Sequence, residues 1–310
     1  MGVLVDIRDV SKVYNPGENE VRALDHVTVT IEEGEYVAII GQSGSGKSTL
    51  MNILGCLDVP TEGEYFLHGN DVKELDDDEL SDIRNQEIGF IFQGFNLIAN
   101  LTALENVELP LIYRGVGRTK RRELSEAALE KVGLGNRMDH KPSEMSGGQQ
   151  QRVAIARAIA QAPPVILADE PTGNLDSHST WEIMDILENL HGEGRTVIVI
   201  THNDEIAARA DRVIKIMDGH VEQDSRRSPG EINEVSQGED ASQGEGATQS
   251  EGATQSEGAT QSEGATQSAG TTQSEGASQG AGKTQGMGAA EERLTIPEMA
   301  EGEKKSEDEE

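Results

Sequence analysis

The stretch GQSGSGKS, residues 41–48, follows a run of apolar residues at 36–40 and precedes a segment of helical character at 48–54. Glycines followed by Lys and Ser are typical of a loop that cradles phosphate groups between a buried strand and a helix. The glycines let backbone N–H groups turn towards phosphate oxygens, and the helix N-terminus adds partial positive charge. We therefore predict that Lys47 contacts the β- and γ-phosphates of a nucleotide and that the Ser48 hydroxyl ligates Mg²⁺.

A second apolar run, VILADE at 165–170, ends in two carboxylates. A carboxylate at the end of such a strand can hold Mg²⁺ through water, which is the role we predict for Asp169. Its neighbour Glu170 can polarise the water that attacks the γ-phosphate. Because strands often end in acidic residues, this pattern is informative only in a chain that also carries a phosphate loop.

The residues SGGQ at 146–149 directly precede a predicted helix. Backbone amides and a hydroxyl at a helix N-terminus form a second anion site, although a simple helix cap with a flexible Gly pair has the same pattern. One chain does not need two sites for one γ-phosphate. The presence of a second anion site therefore indicates that this site serves a nucleotide bound to another molecule.

Strand and helix patterns alternate along the rest of the chain, which predicts a parallel α/β sheet with a helical insertion at about 95–160. The predicted strands are 4–10, 27–31, 36–40, 165–168, 196–201, 212–217 and 220–222, and the predicted helices are 48–54, 102–113, 119–132, 147–160 and about 179–190.

The composition divides the 310 residues into two parts. Residues 1–228 have a net charge of −17 and can form a sizeable core, whereas residues 229–310 have a net charge of −14 and few large apolar side chains. The hexad EGATQS occurs four times between 245 and 268. A six-residue period also occurs in β-helices, but this hexad lacks the apolar residue that each coil needs. We predict a disordered acidic tail at 229–310, and we expect its deletion to leave nucleotide hydrolysis nearly intact.

Several classes of protein are excluded by composition. No apolar run approaches the ~20 residues of a membrane-spanning helix, and the N-terminus has no secretory pattern. A single cysteine, Cys56, excludes a disulfide framework, and we interpret it as a small buried hydrophobe. The net charge of −31 argues against a nucleic-acid partner. The acidity of the folded part is either an ordinary acidic surface or an adaptation to high internal salt.

The order of these motifs, together with a glutamine at 93 and a histidine at 202, resembles the ATPase subunits of ABC transporters over about residues 1–224. Three further stretches resemble the branch of macrolide exporters and lipoprotein-release ATPases: MNILGCLD at 51–58, IGFIFQGFNL at 88–97 and LADEPTGNLD at 167–176. One departure is small: Met145 stands where the family usually has Leu.

The resemblance implies an α/β fold of the P-loop ABC ATPase type, with an antiparallel β subdomain, a RecA-like parallel-sheet core and a helical subdomain. It implies that Tyr14 stacks on adenine, that Gln93 contacts Mg²⁺ and the attacking water, and that His202 hydrogen-bonds the γ-phosphate. It also places Asp176 at a dimer interface.

The predicted site residues fall into three sets. Catalysis is assigned to Glu170, His202, Gln93 and Lys47, and Mg²⁺ binding to Ser48, Gln93 and Asp169. ATP binding is assigned to Tyr14, Gly41, Gln42, Ser43, Gly44, Ser45, Gly46, Lys47, Ser48, Thr49, Ser146, Gly147, Gly148, Gln149 and Asp176, with residues 146–148 acting on the partner's γ-phosphate.

The resemblance implies that the chain is the ATP-hydrolysing subunit of a transporter. Two copies would form a homodimer that sandwiches two ATP molecules at the cytoplasmic face of the membrane and drives a separate permease. Two alternatives remain open. One is a soluble ABC ATPase of translation or DNA repair, although the first type carries two cassettes and the second inserts a long coiled coil. The other is mechanical signalling across the membrane without net transport, as in cell-division relatives.

Overall fold

The computed structural model describes residues 2–17 and 19–226, which form two β-sheets and a set of helices. The predicted tail at 229–310 lies outside these residues. The strands are β1 (Val3–Tyr14), β2 (Val21–Glu32), β3 (Tyr36–Ile40), β4 (Glu62–Leu67), β5 (Asn70–Asp71), β6 (Ile88–Phe92), β7 (Val165–Asp169), β8 (Thr196–Thr201), β9 (Arg212–Met217) and β10 (His220–Arg226). The α-helices are α1 (Lys47–Leu54), α2 (Asp77–Glu87), α3 (Ala103–Tyr113), α4 (Arg118–Lys131), α5 (Gly147–Ile159), α6 (Ser177–Gly192) and α7 (Asp204–Ala207), and Val72–Glu74 and Pro142–Glu144 are 3₁₀ turns.

The larger sheet has the strand order β10-β9-β3-β8-β7-β6. Neighbouring strands from β9 to β6 are parallel, and β10 pairs with β9 in the antiparallel sense. Every residue of β8 is buried, as expected where helices or a second sheet cover both faces of a parallel sheet. The predicted parallel α/β sheet is therefore confirmed, and the carboxyl ends of β3, β7 and β8 meet at one edge.

The smaller sheet is antiparallel, with the order β2-β1-β4-β5. Its long strands β1 and β2 are interrupted by bulges, where Asp9 and His26 both have a φ of 52°. This sheet is the predicted antiparallel subdomain. The strands β4 and β5 were not predicted because the segment at 62–71 mixes charged residues and glycines with few apolar ones.

Helices α3, α4 and α5 form the insertion, and they match the predicted helices to within one residue at each end. Capping boxes set two of the helix starts: Thr102 with Glu105 begins α3, and Ser146 with Gln149 begins α5. The amide of Asn106, which is fully buried, donates to the carbonyls of Ile98, Leu101 and Thr102 and so fixes the loop before α3.

The two faces of the larger sheet carry separate hydrophobic clusters. Tyr36 and Ala38 of β3 pack against the cluster that includes the insertion and α6, and Val37 and Ile39 pack against the cluster that includes α1 and the smaller sheet. Cys56 is buried in the second cluster, and burial raises the pKa of its thiol to about 11. Its interpretation as a buried hydrophobe is confirmed. No described helix has both the length and the apolar character needed to cross a bilayer.

Candidate functional site

The loop at 41–46 connects β3 to the start of α1. Gly46, the residue that caps α1, has a φ of 103°, and a Cβ there would lie 2.5 Å from the carbonyl oxygen of Ala23. Glycine is therefore required at this position by both the backbone conformation and the close approach. The predicted strand–loop–helix context of the phosphate loop is present.

The start of α1 carries no side-chain cap, whereas α2, α3, α5 and α6 are each capped by a side chain of the preceding residue. Its first N–H groups therefore have no intrahelical or capping acceptor. The hydroxyl of Ser45 is buried and has no hydrogen-bond partner among the described residues. The Lys47 ammonium donates to the carbonyl oxygens of Gly41 (2.6 Å) and Gln42 (2.7 Å) and lies across the loop. This concentration of donors fits a bound phosphate chain.

Two carboxylates lie at the end of β7. Glu170 has a φ of 42°, an uncommon conformation for a non-glycine residue and one often found at functional sites. Its Oε1 lies 2.7 Å from Nδ1 of His202, and the Thr201 hydroxyl donates to its Oε2 at 3.2 Å. Burial and the neighbouring Glu170 carboxylate raise the pKa of Asp169, and Lys47 opposes this shift. Adjacent strands β7 and β8 therefore bring the predicted acid residues and His202 together.

A cavity of about 820 Å³ joins these groups. Its volume suits a nucleotide-sized ligand. It is lined by Val21, Arg22, Ala23, Ser43, Gly44, Gly46, Lys47, Ser48, Thr49, Gln93, Asp169, Glu170, Ile200, His202, Asp218 and Gly219. Sequence reasoning missed the contribution of β2 and of the β9–β10 turn. The β9–β10 turn reaches the phosphate loop through a contact between residues far apart in sequence, in which Gly219 N–H donates to Ser45 O at 2.9 Å.

Gln93 follows β6 and lies against the loop after Glu170. The Asn174 amide donates to the carbonyl oxygen of Gln93 at 3.0 Å. From α5, the buried amide of Gln151 donates to the carbonyl oxygens of Pro171 (2.6 Å) and Phe92 (3.3 Å). Neither Asn174 nor Gln151 was predicted as a site residue, because nothing in their own sequence neighbourhoods marks these long-range contacts.

The SGGQ segment lies at the start of α5 and does not line the 820 Å³ cavity. The Ser146 hydroxyl accepts from Gln149 N–H (3.3 Å), and Asp176 Oδ1, at the start of α6, accepts from Ser179 N–H (2.9 Å). A Cβ on Gly148 would lie 2.5 Å from Ser179 Oγ, so the two helix starts are close neighbours. The structure therefore groups residues 146–149 with Asp176, apart from the phosphate loop of the same chain.

Tyr14 ends β1 and is not among the residues that line the cavity. Its hydroxyl donates to Asp58 Oδ2 at 2.9 Å, and the Lys12 ammonium lies over its ring, 5.2 Å from the ring centroid. Burial and Asp58 raise the pKa of the phenol, and the side chain of Thr49, which does line the cavity, lies near enough to the Tyr14 hydroxyl to oppose this rise.

Comparison with known proteins gives one consistent result. The family model described as ABC transporter matches residues 24–173. A macrolide export ATP-binding/permease protein MacB of Hyphomonas neptunium is 54% identical over 234 residues, which are 76% of this chain and 36% of that protein. The MacB of Rhodospirillum rubrum is 56% identical over 72% of this chain and 34% of that protein. The chain thus spans about a third of the length of the relatives it matches.

A solved structure extends the match to a whole cassette. MJ0796, described as a bacterial ABC transporter cassette and solved as a dimer bound to ADP and Pi, is 50% identical to this chain, with a TM-score of 0.67. The match covers 72% of this chain and 98% of that one. Together with the phosphate loop, the paired carboxylates and the SGGQ helix start, this similarity establishes that the chain belongs to the ATP-binding domains of ABC transporters, a family of ATPases.

Proposed function

We propose that the chain binds ATP in the 820 Å³ cavity and hydrolyses it as a homodimer. The hydrolysis drives a membrane permease of the macrolide-export or lipoprotein-release kind from the cytoplasmic face. The observation that carries this proposal is that the predicted site residues lie in two separate groups. One cavity holds Lys47, Asp169, Glu170 and His202, and the second anion site, at Ser146, is not part of that cavity's lining.

Binding begins with the phosphate chain. The free N–H groups at the start of α1 and the Lys47 ammonium donate to phosphate oxygens, and Lys47 exchanges its two carbonyl acceptors for them. Among the described residues no group of three or more His, Cys, Asp or Glu side chains is arranged to hold a metal ion. Mg²⁺ would instead be held by Ser48, Gln93 and Asp169 with phosphate and water oxygens, as Mg²⁺ prefers. When bound it neutralises charge that develops on the phosphates.

Hydrolysis needs a positioned water. Before ATP binds, the 2.7 Å contact between His202 and Glu170 keeps both side chains at one edge of the cavity. With ATP bound, His202 leaves Glu170 and donates its N–H to a γ-phosphate oxygen, while Glu170 orients the oxygen of the water towards the γ-phosphorus and accepts one of its protons. The new P–O bond forms as the bond to the β–γ bridging oxygen breaks, and ADP and inorganic phosphate leave. Positioning and charge stabilisation supply most of the rate enhancement in this chemistry.

The second copy completes each site. Residues 146–148 of one copy supply a hydroxyl and backbone N–H groups to the γ-phosphate held by the other copy. Among the described residues the Ser146 hydroxyl acts only as an acceptor, so its proton remains for this contact. ATP therefore closes the dimer and hydrolysis opens it, which gives a two-state element.

A groove of about 610 Å³ supplies the place where a permease docks. It is bordered by Leu57 and by Tyr113, which is 84% exposed, and it also contains Arg157. Arg157 donates to the carbonyl oxygens of Asn96 (2.5 Å) and Phe95 (2.9 Å), three and two residues after Gln93. A permease segment seated here touches the loop that also contacts the ATP cavity.

The test is ATP-dependent association. Glu170→Gln should bind ATP without hydrolysing it and should accumulate as a dimer, measured by light scattering after size exclusion. Adding Lys47→Ala to the same chain should abolish that dimer. A Glu170→Gln protein that hydrolyses ATP at the wild-type rate contradicts the role of Glu170, and one that binds ATP but remains monomeric contradicts the shared site.

The permease is tested separately. A tagged chain is used to capture partners from detergent-solubilised membranes, with Tyr113→Ala as the groove variant and Val3→Ala, which is exposed but lies outside the groove, as its control. A captured permease with a large extracytoplasmic domain, lost only in the groove variant, supports the proposal. Recovery of ribosomes or DNA-repair factors instead supports the soluble alternative.

A further inference from the structure

The phenol of Tyr14 is fixed at its oxygen by Asp58. It donates to Asp58 Oδ2 at 2.9 Å; burial and Asp58 raise the pKa of the phenol, and the Thr49 side chain lies near enough to oppose this rise. Thr49 is in the first turn of α1, next to Ser48 of the phosphate loop, and Asp58 follows the end of α1. The ring is therefore held at a set position relative to the helix that binds the phosphates.

Lys12 holds the same cluster from the other side. Its ammonium donates to Asp58 Oδ1 (2.5 Å) and to the carbonyl oxygen of Val59 (2.8 Å), and it lies over the Tyr14 ring. Only 12% of the Lys12 side chain is exposed. A nearly buried ammonium with a carboxylate partner is a fixed group rather than a solvated one, since breaking the pair would leave a buried charge.

The Asp58 carboxylate stays ionised in this setting. Burial raises its pKa, but the hydrogen bonds from Lys12 and Tyr14 outweigh burial, and the net pKa is lowered. Asp58 accepts through both oxygens: Oδ1 receives Lys12 and the Val59 N–H, and Oδ2 receives the Tyr14 hydroxyl. The cluster of Lys12, Asp58 and Tyr14 is thus internally satisfied without a ligand.

We propose that Lys12 and Asp58 are positioning residues that hold the Tyr14 ring as a platform for the adenine base and so set the preference of the site for a nucleotide over a bare polyphosphate. The inference rests on the ATP binding proposed above and on the stacking of adenine on Tyr14 that the family resemblance implies. Stacking of a base on an aromatic ring is worth about 5- to 150-fold in affinity. If the Tyr14 ring had to become ordered when ATP binds, the loss of conformational entropy would cancel part of this affinity. Because the Lys12 ammonium lies over one face of the ring, a stacked base would have to take the opposite face.

The experiment compares two ligands on the full chain. ATP reaches both the platform and the phosphate loop, whereas tripolyphosphate reaches only the loop. Dissociation constants of both are measured by calorimetry for Tyr14→Phe, which removes only the anchoring hydroxyl, and for Lys12→Met. We expect each variant to weaken ATP about 3- to 10-fold, to leave tripolyphosphate binding unchanged, and to raise KM for ATP by more than it lowers kcat.

Tyr65→Phe is the matched control. The Tyr65 hydroxyl donates to the carbonyl oxygen of Leu54, the last residue of α1, at 2.8 Å, and the residue is fully buried. Its loss removes a tyrosine hydroxyl hydrogen bond at the end of α1 and leaves the bond between Tyr14 and Asp58 in place. Thermal stability should fall while the ratio of the two dissociation constants stays as in the wild type.

The outcomes separate the inference from its premise. If Tyr14→Ala binds ATP as the wild type does, the stacking role itself is wrong, and the inference falls with it. If Tyr14→Ala weakens ATP while both Tyr14→Phe and Lys12→Met bind it normally, stacking stands and the positioning role is overturned. An equal loss of ATP and tripolyphosphate affinity also overturns it, because that pattern reports general damage to the site.

Discussion

The helix starts at α1 and α5 both follow glycine-containing loops, yet they differ in whether a side chain accepts a hydrogen bond from their first backbone N–H groups. At α1, Gly46 provides no side-chain acceptor, and the free N–H groups face a cavity that also contains Lys47. At α5, Ser146 and Gln149 cap each other through hydrogen bonds of 3.3 and 3.1 Å. The first start needs a ligand to satisfy it, and the second is stable without one.

This difference suits two roles in one reaction cycle. In the proposed mechanism, a helix start with unsatisfied donors would bind phosphate strongly by itself and keep ATP on the monomer. A start that is already capped would gain less from a phosphate, so its contact with the partner's nucleotide would be weaker and reversible. The comparison predicts that changes at α1 abolish binding by the single chain, and that changes at α5 affect association and turnover.

The largest effect is expected from Lys47→Ala. The ammonium is the single fully charged donor we assign to the phosphates in this chain, and a hydrogen bond to a charged group contributes about 1.5–3 kcal/mol. ATP affinity of the dilute protein should fall by at least about tenfold, measured by fluorescence anisotropy of a labelled nucleotide. Ser146→Ala in the same assay is the control, and it should bind ATP like the wild type. Equal losses in the two variants would contradict the comparison.

The two glycines give a second test. Ala at Gly46 puts a Cβ 2.5 Å from the carbonyl oxygen of Ala23 and requires a residue with a side chain to adopt a φ of 103°. Neither problem is relieved by rotating a side chain, because the contact atom belongs to the backbone. Ala at Gly148 meets Ser179 Oγ at 2.5 Å and Ser179 Cβ at 2.8 Å, and because rotation of the side chain moves only the hydroxyl, the starts of α5 and α6 must shift apart. We expect Gly46→Ala to lower monomer ATP affinity about tenfold or more, at a backbone cost of about 1–2 kcal/mol.

Gly148→Ala should instead keep monomer affinity within about twofold and reduce the ATP-induced dimer. Dimer formation is best measured in the Glu170→Gln background, where hydrolysis does not deplete ATP. A Gly148→Ala protein that dimerises normally but loses monomer ATP binding would reverse the assignment of the two helix starts.

Much of the fold was predictable because its signals are local. The apolar runs of β3, β7 and β8 and the caps at Thr102 and Ser146 fix their elements from neighbouring residues. Helix α2 was missed because it has a single buried residue, Leu80, and therefore no apolar period, although Asp76 and Glu79 form a capping box at its start.

The candidate site was predictable where one segment carries the chemistry, as in the phosphate loop and at Asp169 and Glu170. It was not predictable where the contact is made across the fold. Gln151, in α5, and Asn174, in the segment after β7, donate to the carbonyl oxygens of Phe92 and Gln93. A helix cap at Ser146 was the alternative that the sequence left open beside a second anion site, and the structure shows the cap.

A third prediction separates capping from phosphate binding at α5. Ser146→Ala loses the cap and the hydroxyl donor, and removal of an N-cap costs about 0.5–2 kcal/mol of stability. Ser146→Asp retains a good cap but places a negative charge where the partner's γ-phosphate would bind. The alanine variant should lower both the thermal midpoint and the ATPase rate. The aspartate variant should recover the midpoint, measured by calorimetry, and not the rate. Recovery of both would show that Ser146 acts only as a cap.

The smallest effect concerns two aspartates with opposite pKa shifts. Burial and Glu170 raise the pKa of Asp169 above its ordinary value, so the folded state loses stability as the pH rises from that value through the raised pKa. Hydrogen bonds from Ser179 lower the pKa of Asp176. Its contribution to the stability of the folded state is therefore present above its ordinary pKa and is lost as the pH falls through the lowered pKa.

Asp169→Asn should therefore raise the thermal midpoint at pH 7 by about 2–4 °C, with the gain vanishing in acid, while it impairs hydrolysis. Asp176→Ala should lower the midpoint at pH 7 and change it little in acid. The same sign for both variants across the pH range would show that Asp169, at the end of β7, and Asp176, before α6, do not differ in their electrostatic surroundings.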